Sequence, residues 1–177
     1  MQMSQRHIPG ESRRPDPDGP LLSARRTLRL IALVALAVFL LDQLTKWLVV
    51  EAMDLANRQE IRVVDPFLNF TMAWNTGINF GLFGADDAGL QRWVLVGLAL
   101  AISGALAWWA VRRGEWWLAL GAGIVMGGAV GNAWDRVRYG AVADFLNMSC
   151  CGIDNPYAFN VADVAIFAGA VLIALKA

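Results

Sequence analysis

The sequence predicts an all-α membrane protein in which four transmembrane helices carry a small extracytoplasmic β-sheet. Three observations lead there. Apolar stretches at residues 28–50, 93–111, 116–134 and 157–175 each approach the ~20 residues that cross a ~30 Å hydrocarbon core. The composition is 57% hydrophobic with a mean hydropathy of +0.46, too oily for an ordinary soluble domain. Finally, Arg25, Arg26, Arg29, Arg112, Arg113 and Lys176 all fall on one side of a four-span arrangement, which makes that side, and both termini, cytoplasmic.

The chain divides into a tail at residues 1–27 and one membrane domain at 28–177, with a β-rich outer insertion at about 51–91. The tail holds Pro9, Pro15, Pro17, Pro20 and several arginines and reads as disordered. The first span is apolar from Leu30 to Leu41, then interrupted by Asp42 and Lys46. Their spacing of four puts them on one helix face, where they pair. A cleaved signal peptide also has a charged start and an apolar core, but no small-x-small site follows and further spans do. At 1.5 Å per residue Asp42 lies roughly 20 Å from Leu28, in the outer half of the membrane.

Within the insertion, Phe67 to Trp74 partly alternates and is rich in β-branched and aromatic residues, like a strand. Asn75-Thr76-Gly77 is a turn signal, after which Asn79 to Phe83 is expected to pair back. Phe67, Phe70, Phe80 and Phe83 are expected on the exposed side, toward lipid or an apolar ligand; the alternative is that they give the sheet a small core of its own. In the third span Gly123, Gly127 and Gly131 recur every four residues, a face along which another helix packs closely. Eight Trp and eight Phe against two Tyr suit a surface that meets lipid. The adjacent Cys150 and Cys151 form neither a zinc spacing nor a disulfide framework.

The polar residues of the spans are the candidates for chemistry, since ionisable groups in a membrane are costly unless paired, wetted or used. With that topology Asp42, Lys46, Asn132, Asp135, Arg136, Asn160 and Asp163 all gather at the outer leaflet, and Asp163 lies roughly 9 Å into the last span. The single histidine, His7, is in the tail, so neither a histidine triad nor a histidine zinc site can be built. Two carboxylates that share a proton activate water without metal or cofactor. Asp42, Asp135, Asp144 and Asp163 are the candidates. Asp42 has Lys46 and Asp135 has Arg136 as a neutralising neighbour, whereas Asp144 and Asp163 have none in their segments, which favours the latter two. Charge balance, 15 basic against 15 acidic residues, suggests no nucleic-acid partner.

These residues resemble a family. Leu41-Asp42-Gln43-x-x-Lys46, Trp74-Asn75-Thr76-Gly77-x-x-Phe80, Gly131-Asn132-x-x-Asp135-Arg136, Val142-x-Asp144-Phe145 and Phe159-Asn160-x-Ala162-Asp163 look like the ordered motifs of lipoprotein signal peptidase, bacterial signal peptidase II. The resemblance spans residues 28–175. It implies an intramembrane aspartyl endopeptidase with Asp144 and Asp163 as catalytic dyad and no metal or cofactor. Asn75, Gly77, Asn132, Arg136 and Asn160 match substrate-binding or dyad-supporting positions, and Asp42, Lys46 and Asp135 match structural polar ones. The implied substrate is a prolipoprotein whose cysteine carries diacylglycerol, cleaved just before that cysteine in the bacterial inner membrane. The partners are then substrate and membrane lipid, with the enzyme a monomer. Ile78 and Asn79 stand where many members have two alanines, and Trp74 where tyrosine is frequent.

Two other classes fit these residues less well. A proton-coupled transporter also uses membrane carboxylates, but it needs them along a path, and the inner halves of the spans hold no acid. A non-catalytic assembly factor built on the glycine face leaves Asp144 and Asp163 unexplained.

Overall fold

A computed structural model describes residues 21–77, 88–152 and 155–176. Its elements are α1 (Ala24–Lys46), continued by a π-helical turn (Trp47–Ala52), a short α2 (Leu55–Arg58), β1 (Glu60–Val64), β2 (Leu68–Asn75), α3 (Ala88–Arg113), α4 (Trp116–Tyr139), β3 (Val142–Asn147) and α5 (Val161–Lys176).

The helix α4 is the centre of the bundle. Of its apolar stretch 67% is buried, against 17% for the stretches in α1 and α3. Glycines let two neighbours approach it closely. A Cβ at Gly127 would lie 2.6 Å from the Ala35 carbonyl oxygen of α1. One at Gly128 would lie 2.5 Å from the Ala162 carbonyl oxygen of α5. No side chain tolerates such distances, so the small residues admit α1 on one flank and α5 on the other. Ile31, Ala110, Trp117, Leu118, Ala119 and Ala122 fill the bundle near its arginine-rich end. There the Leu22 amide donates to the Gly114 carbonyl at 2.6 Å, tying the entry of α1 to the turn between α3 and α4. Arg25, Arg26, Arg112 and Arg113 thus belong to one end of the bundle.

Among the described residues three helices are long and apolar enough to cross a membrane: α1 with its π turn, α3 and α4. The fourth, α5, has 16 residues, short of the ~20 of a full crossing. It begins at Val161 rather than near Tyr157, so Asp163 lies in its first turn and not 9 Å inside. At the other boundary α4 runs on to Tyr139, taking Asp135 and Arg136 into the helix.

The strands form one antiparallel sheet of order β1-β2-β3. Glu60 opposes Thr71 and Val64 opposes Leu68 across β1 and β2. Ala73 opposes Asp144 and Asn75 opposes Val142 across β2 and β3. The expected return strand at Asn79 to Phe83 lies outside the described residues. The strand found on that side of β2 is β3, six residues of which the first four are buried. Burial on both faces removes the alternation by which a half-exposed strand is read. Phe70 corrects a second expectation: it points inward, its ring 6.0 Å from that of Phe145 and edge-on. Together with Val49, Val50, Leu55, Met72 and Ala143 these rings give the sheet a small core of its own. Phe67 is exposed as expected, while Phe80 and Phe83 lie outside the described residues.

Candidate active site

The catalytic candidates come from two elements that meet at the end of the bundle away from Arg25, Arg26, Arg112 and Arg113. Asp144 stands on β3 and is buried. Asp163 is half-buried in the first turn of α5. A further strand-like contact joins the two elements: the Phe145 and Leu146 amides both donate to the Phe159 carbonyl, at 3.0 and 2.8 Å, and Phe159 returns a bond to Leu146 at 3.0 Å. This delivers Asn160 beside Asp144.

Asn160 is fully buried and touches both acids. Its Nδ2 donates to Asp144 Oδ1 at 2.6 Å and to Asn132 Oδ1 at 3.0 Å. It is also the residue that caps α5. Its Oδ1 accepts from the Asp163 amide at 2.9 Å, and its own amide donates to Asp163 Oδ2 at 3.2 Å. That reciprocal pair is a capping box with Asp163 at the third helical position, so the residue that starts the helix also orients the carboxylate.

The remaining oxygens are held by amides too. Asn75 Nδ2 donates to Asp144 Oδ2 at 3.0 Å, reaching it diagonally across β2 and β3. The Asn75 amide is aimed by Gly77, whose N–H donates to Asn75 Oδ1 at 2.9 Å. Gly77 has φ +104°, a left-handed conformation that favours glycine, and a Cβ there would meet Leu95 at 2.6 Å. Asn132 Nδ2 donates to Asp163 Oδ1 at 2.8 Å. All four carboxylate oxygens therefore accept from a neutral amide, and among the described residues neither acid forms an ion pair. Burial is the largest influence on Asp144 and pushes its carboxyl from 3.8 up to about 6, with the charge of Asp163 acting in the same direction. The Asn75 and Asn160 donors oppose that rise.

The other predicted residues fall around this pair. Arg136 Nη1 donates to the Asn132 carbonyl at 3.3 Å, and its buried Nε has no partner among the described residues. Arg136 and Asn132 form the polar end of an otherwise apolar groove of about 240 Å³ lined by Leu95, Leu98, Val125 and Ile166. Asp42 pairs with Lys46 at 2.8 Å as expected. Asp135 does not take Arg136 as its partner. It pairs with Lys46 at 2.7 Å, because adjacent helical residues point to different faces. Sequence reasoning gave no role to Gln43, whose Nε2 donates to both Asp42 and Asp135 at 3.1 and 3.0 Å. Its place beside Asp42 in an apolar helix was the available signal. Among the described residues no three His, Cys, Asp or Glu side chains gather as metal ligands.

A family model described as signal peptidase (SPase) II matches residues 34–177. The chain belongs to the signal peptidase II family. Membership makes it a peptidase, and its apolar helices make it a membrane protein. A protein named lipoprotein signal peptidase from a Methylobacterium strain is 44% identical over 144 residues, covering 81% of this chain and 86% of the relative. One of the same name from Pseudomonas putida is 41% identical and covers 80% and 82%. Among solved structures, a bacterial membrane enzyme determined by the in meso method at 1.9 Å resolution superposes with a TM-score of 0.70. It is 26% identical and covers 84% of this chain and 92% of its own.

Proposed function

We propose that this signal peptidase II family member is an intramembrane aspartyl endopeptidase that removes the signal peptide from diacylglyceryl-modified prolipoproteins, cleaving just before the lipidated cysteine. The observation that carries the reading is the pair of carboxylates, Asp144 and Asp163, joined through Asn160 and bonded only to amides. With amides and no ion pair on their oxygens, two neighbouring acids share a proton. Burial raises Asp144, which suits it to hold that proton and polarise the scissile carbonyl. Asp163, in the first turn of a helix, takes a proton from the attacking water. The tetrahedral intermediate then collapses as a proton passes to the leaving amine.

The apolar groove beside Asn132 and Arg136 supports a substrate with a lipid-like body and a polar backbone, since Arg136 Nε offers an unused donor next to the dyad. The relatives' name supports a prolipoprotein as that substrate. The gathering of arginines at the opposite end supports cytoplasmic termini and a site near the outer leaflet of the inner membrane. The test is processing of a lipidated precursor by purified enzyme in detergent. Asp144→Asn and Asp163→Asn should each insert normally and release no signal peptide. Full cleavage by either variant removes the mechanism.

A further inference from the structure

A second polar cluster lies beside the dyad, and its connections run to both halves of it. Asp42 and Lys46 on α1 and Asp135 on α4 are all buried, at 0, 6 and 1% exposure. Lys46 Nζ reaches Asp42 Oδ2 at 2.8 Å, Asp135 Oδ2 at 2.7 Å and Asn132 Oδ1 at 3.1 Å. An ammonium has three donors, and each has its acceptor. The two acids then reach outward to backbone. Asp42 Oδ1 accepts from the Ala162 amide at 2.9 Å, and Asp135 Oδ2 accepts from the Ala143 amide at 3.3 Å. Ala162 immediately precedes Asp163, and Ala143 immediately precedes Asp144.

We infer that Lys46, with Asp42 and Asp135, is a positioning residue of the dyad: one ammonium yokes the backbone beside Asp144 to the backbone beside Asp163 and so fixes their separation. The inference rests on the dyad reading and deepens it. Asp144 and Asp163 stand on different elements, a strand and a helix, whose relative placement must hold to a fraction of an ångström for a shared proton. The same ammonium is also linked to the Asp163 carboxylate through one side chain, since Asn132 accepts from Lys46 and donates to Asp163.

Stability alone does not account for such a cluster. Two acids and one base removed from water carry a desolvation cost that a well-packed apolar contact avoids. Between α1 and α4 that apolar solution is already in use at Gly123 and Gly127. Gly131 continues the same face, yet there the close neighbour is Asp42: a Cβ at Gly131 would lie 2.6 Å from Asp42 Oδ2. The absent side chain is the gap through which Asp42 extends past α4 to the start of α5. Gln43, spanning Asp42 and Asp135, braces the same link.

The test uses the full chain purified in detergent with a lipidated precursor, comparing Lys46→Met, Gln43→Leu and Gly131→Ala with wild type, and Asp163→Asn as reference. The rate per folded molecule is read, with the folded fraction taken from a thermal scan. A displacement near 1 Å at the reacting groups costs about a hundredfold in rate. Lys46→Met should therefore lower kcat about a hundredfold with KM within about twofold, and Gln43→Leu and Gly131→Ala should show the same split more weakly. If Lys46→Met does not fold, the other two variants decide. Wild-type kcat per folded molecule in the folded variants overturns the yoke, leaving the cluster as a stability element. If Asp163→Asn is itself active, the dyad reading fails first. A dead Asp163→Asn beside fully active Lys46 and Gln43 variants removes the yoke alone.

Discussion

Two acid pairs sit side by side at one end of this bundle and are handled in opposite ways. Asp42 and Asp135 share the ammonium of Lys46 at 2.8 and 2.7 Å. Asp144 and Asp163 share only amides, from Asn75, Asn132 and Asn160. The first pair has a cation at bonding distance to both acids. The second has directional donors and, among the described residues, no ion pair. Residue type is the same in both; the difference lies in what faces the carboxylate.

The largest effect that separates the pairs is on rate. General acid–base groups contribute about 10²–10⁴-fold, so neutralising Asp144 or Asp163 should remove at least about a thousandfold of the cleavage rate while the thermal midpoint holds or rises. Comparable loss of midpoint and rate in all four aspartate-to-asparagine variants would erase the distinction. Next comes Asn160→Ala, which takes a side-chain donor from Asp144 and the cap acceptor from the Asp163 amide, while the backbone donor to Asp163 remains. Hydrogen bonds to charged groups are worth about 1.5–3 kcal/mol, which corresponds to roughly a hundredfold in rate, measured at saturating substrate.

A smaller effect concerns pH. Asp144 is raised in the folded protein from 3.8 to about 6, so the fold binds its proton more tightly than the unfolded chain does. Its stabilising contribution is complete below 3.8 and is lost as pH rises through about 6. Asp144→Asn should therefore gain in thermal midpoint over wild type at pH 7.5, and the gain should shrink at pH 4. A constant difference across that range contradicts the buried, unneutralised environment. The smallest effect is expected at Gly77→Ala. Its φ of +104° makes alanine unfavourable by more than about 1 kcal/mol, and a misaimed Asn75 should slow cleavage about tenfold, read as kcat.

Much of this was legible in the sequence because the cost of burying charge is local and sign-dependent. The pairing of Asp42 with Lys46 follows from a helical spacing of four, and the absence of any near base beside Asp144 or Asp163 singled them out. The same reasoning failed where contacts cross elements. Arg136 follows Asp135 in the chain, yet the helix turns it away, toward the Asn132 carbonyl, and Lys46 arrives from α1 instead. The strand β3 escaped notice because a short buried strand has no alternation, and because its pairing with β2 is set by residues about seventy positions earlier. The glycine face of α4 was read as packing alone. At Gly131 it is also the passage for Asp42.

The bridge between Leu146 and Phe159 has a consequence for the chain's tolerance of change. It closes the base of the excursion that carries Cys150 and Cys151, and Asn147 Nδ2 pins it further by donating to the Asn155 and Tyr157 carbonyls at 2.7 and 3.0 Å. The neck thereby holds Asn160 beside Asp144 whatever the length of what lies beyond it. Insertion beside Cys150 and Cys151 is therefore expected to leave Asp144 and Asp163 assembled, which processing of a lipidated precursor by such a variant checks.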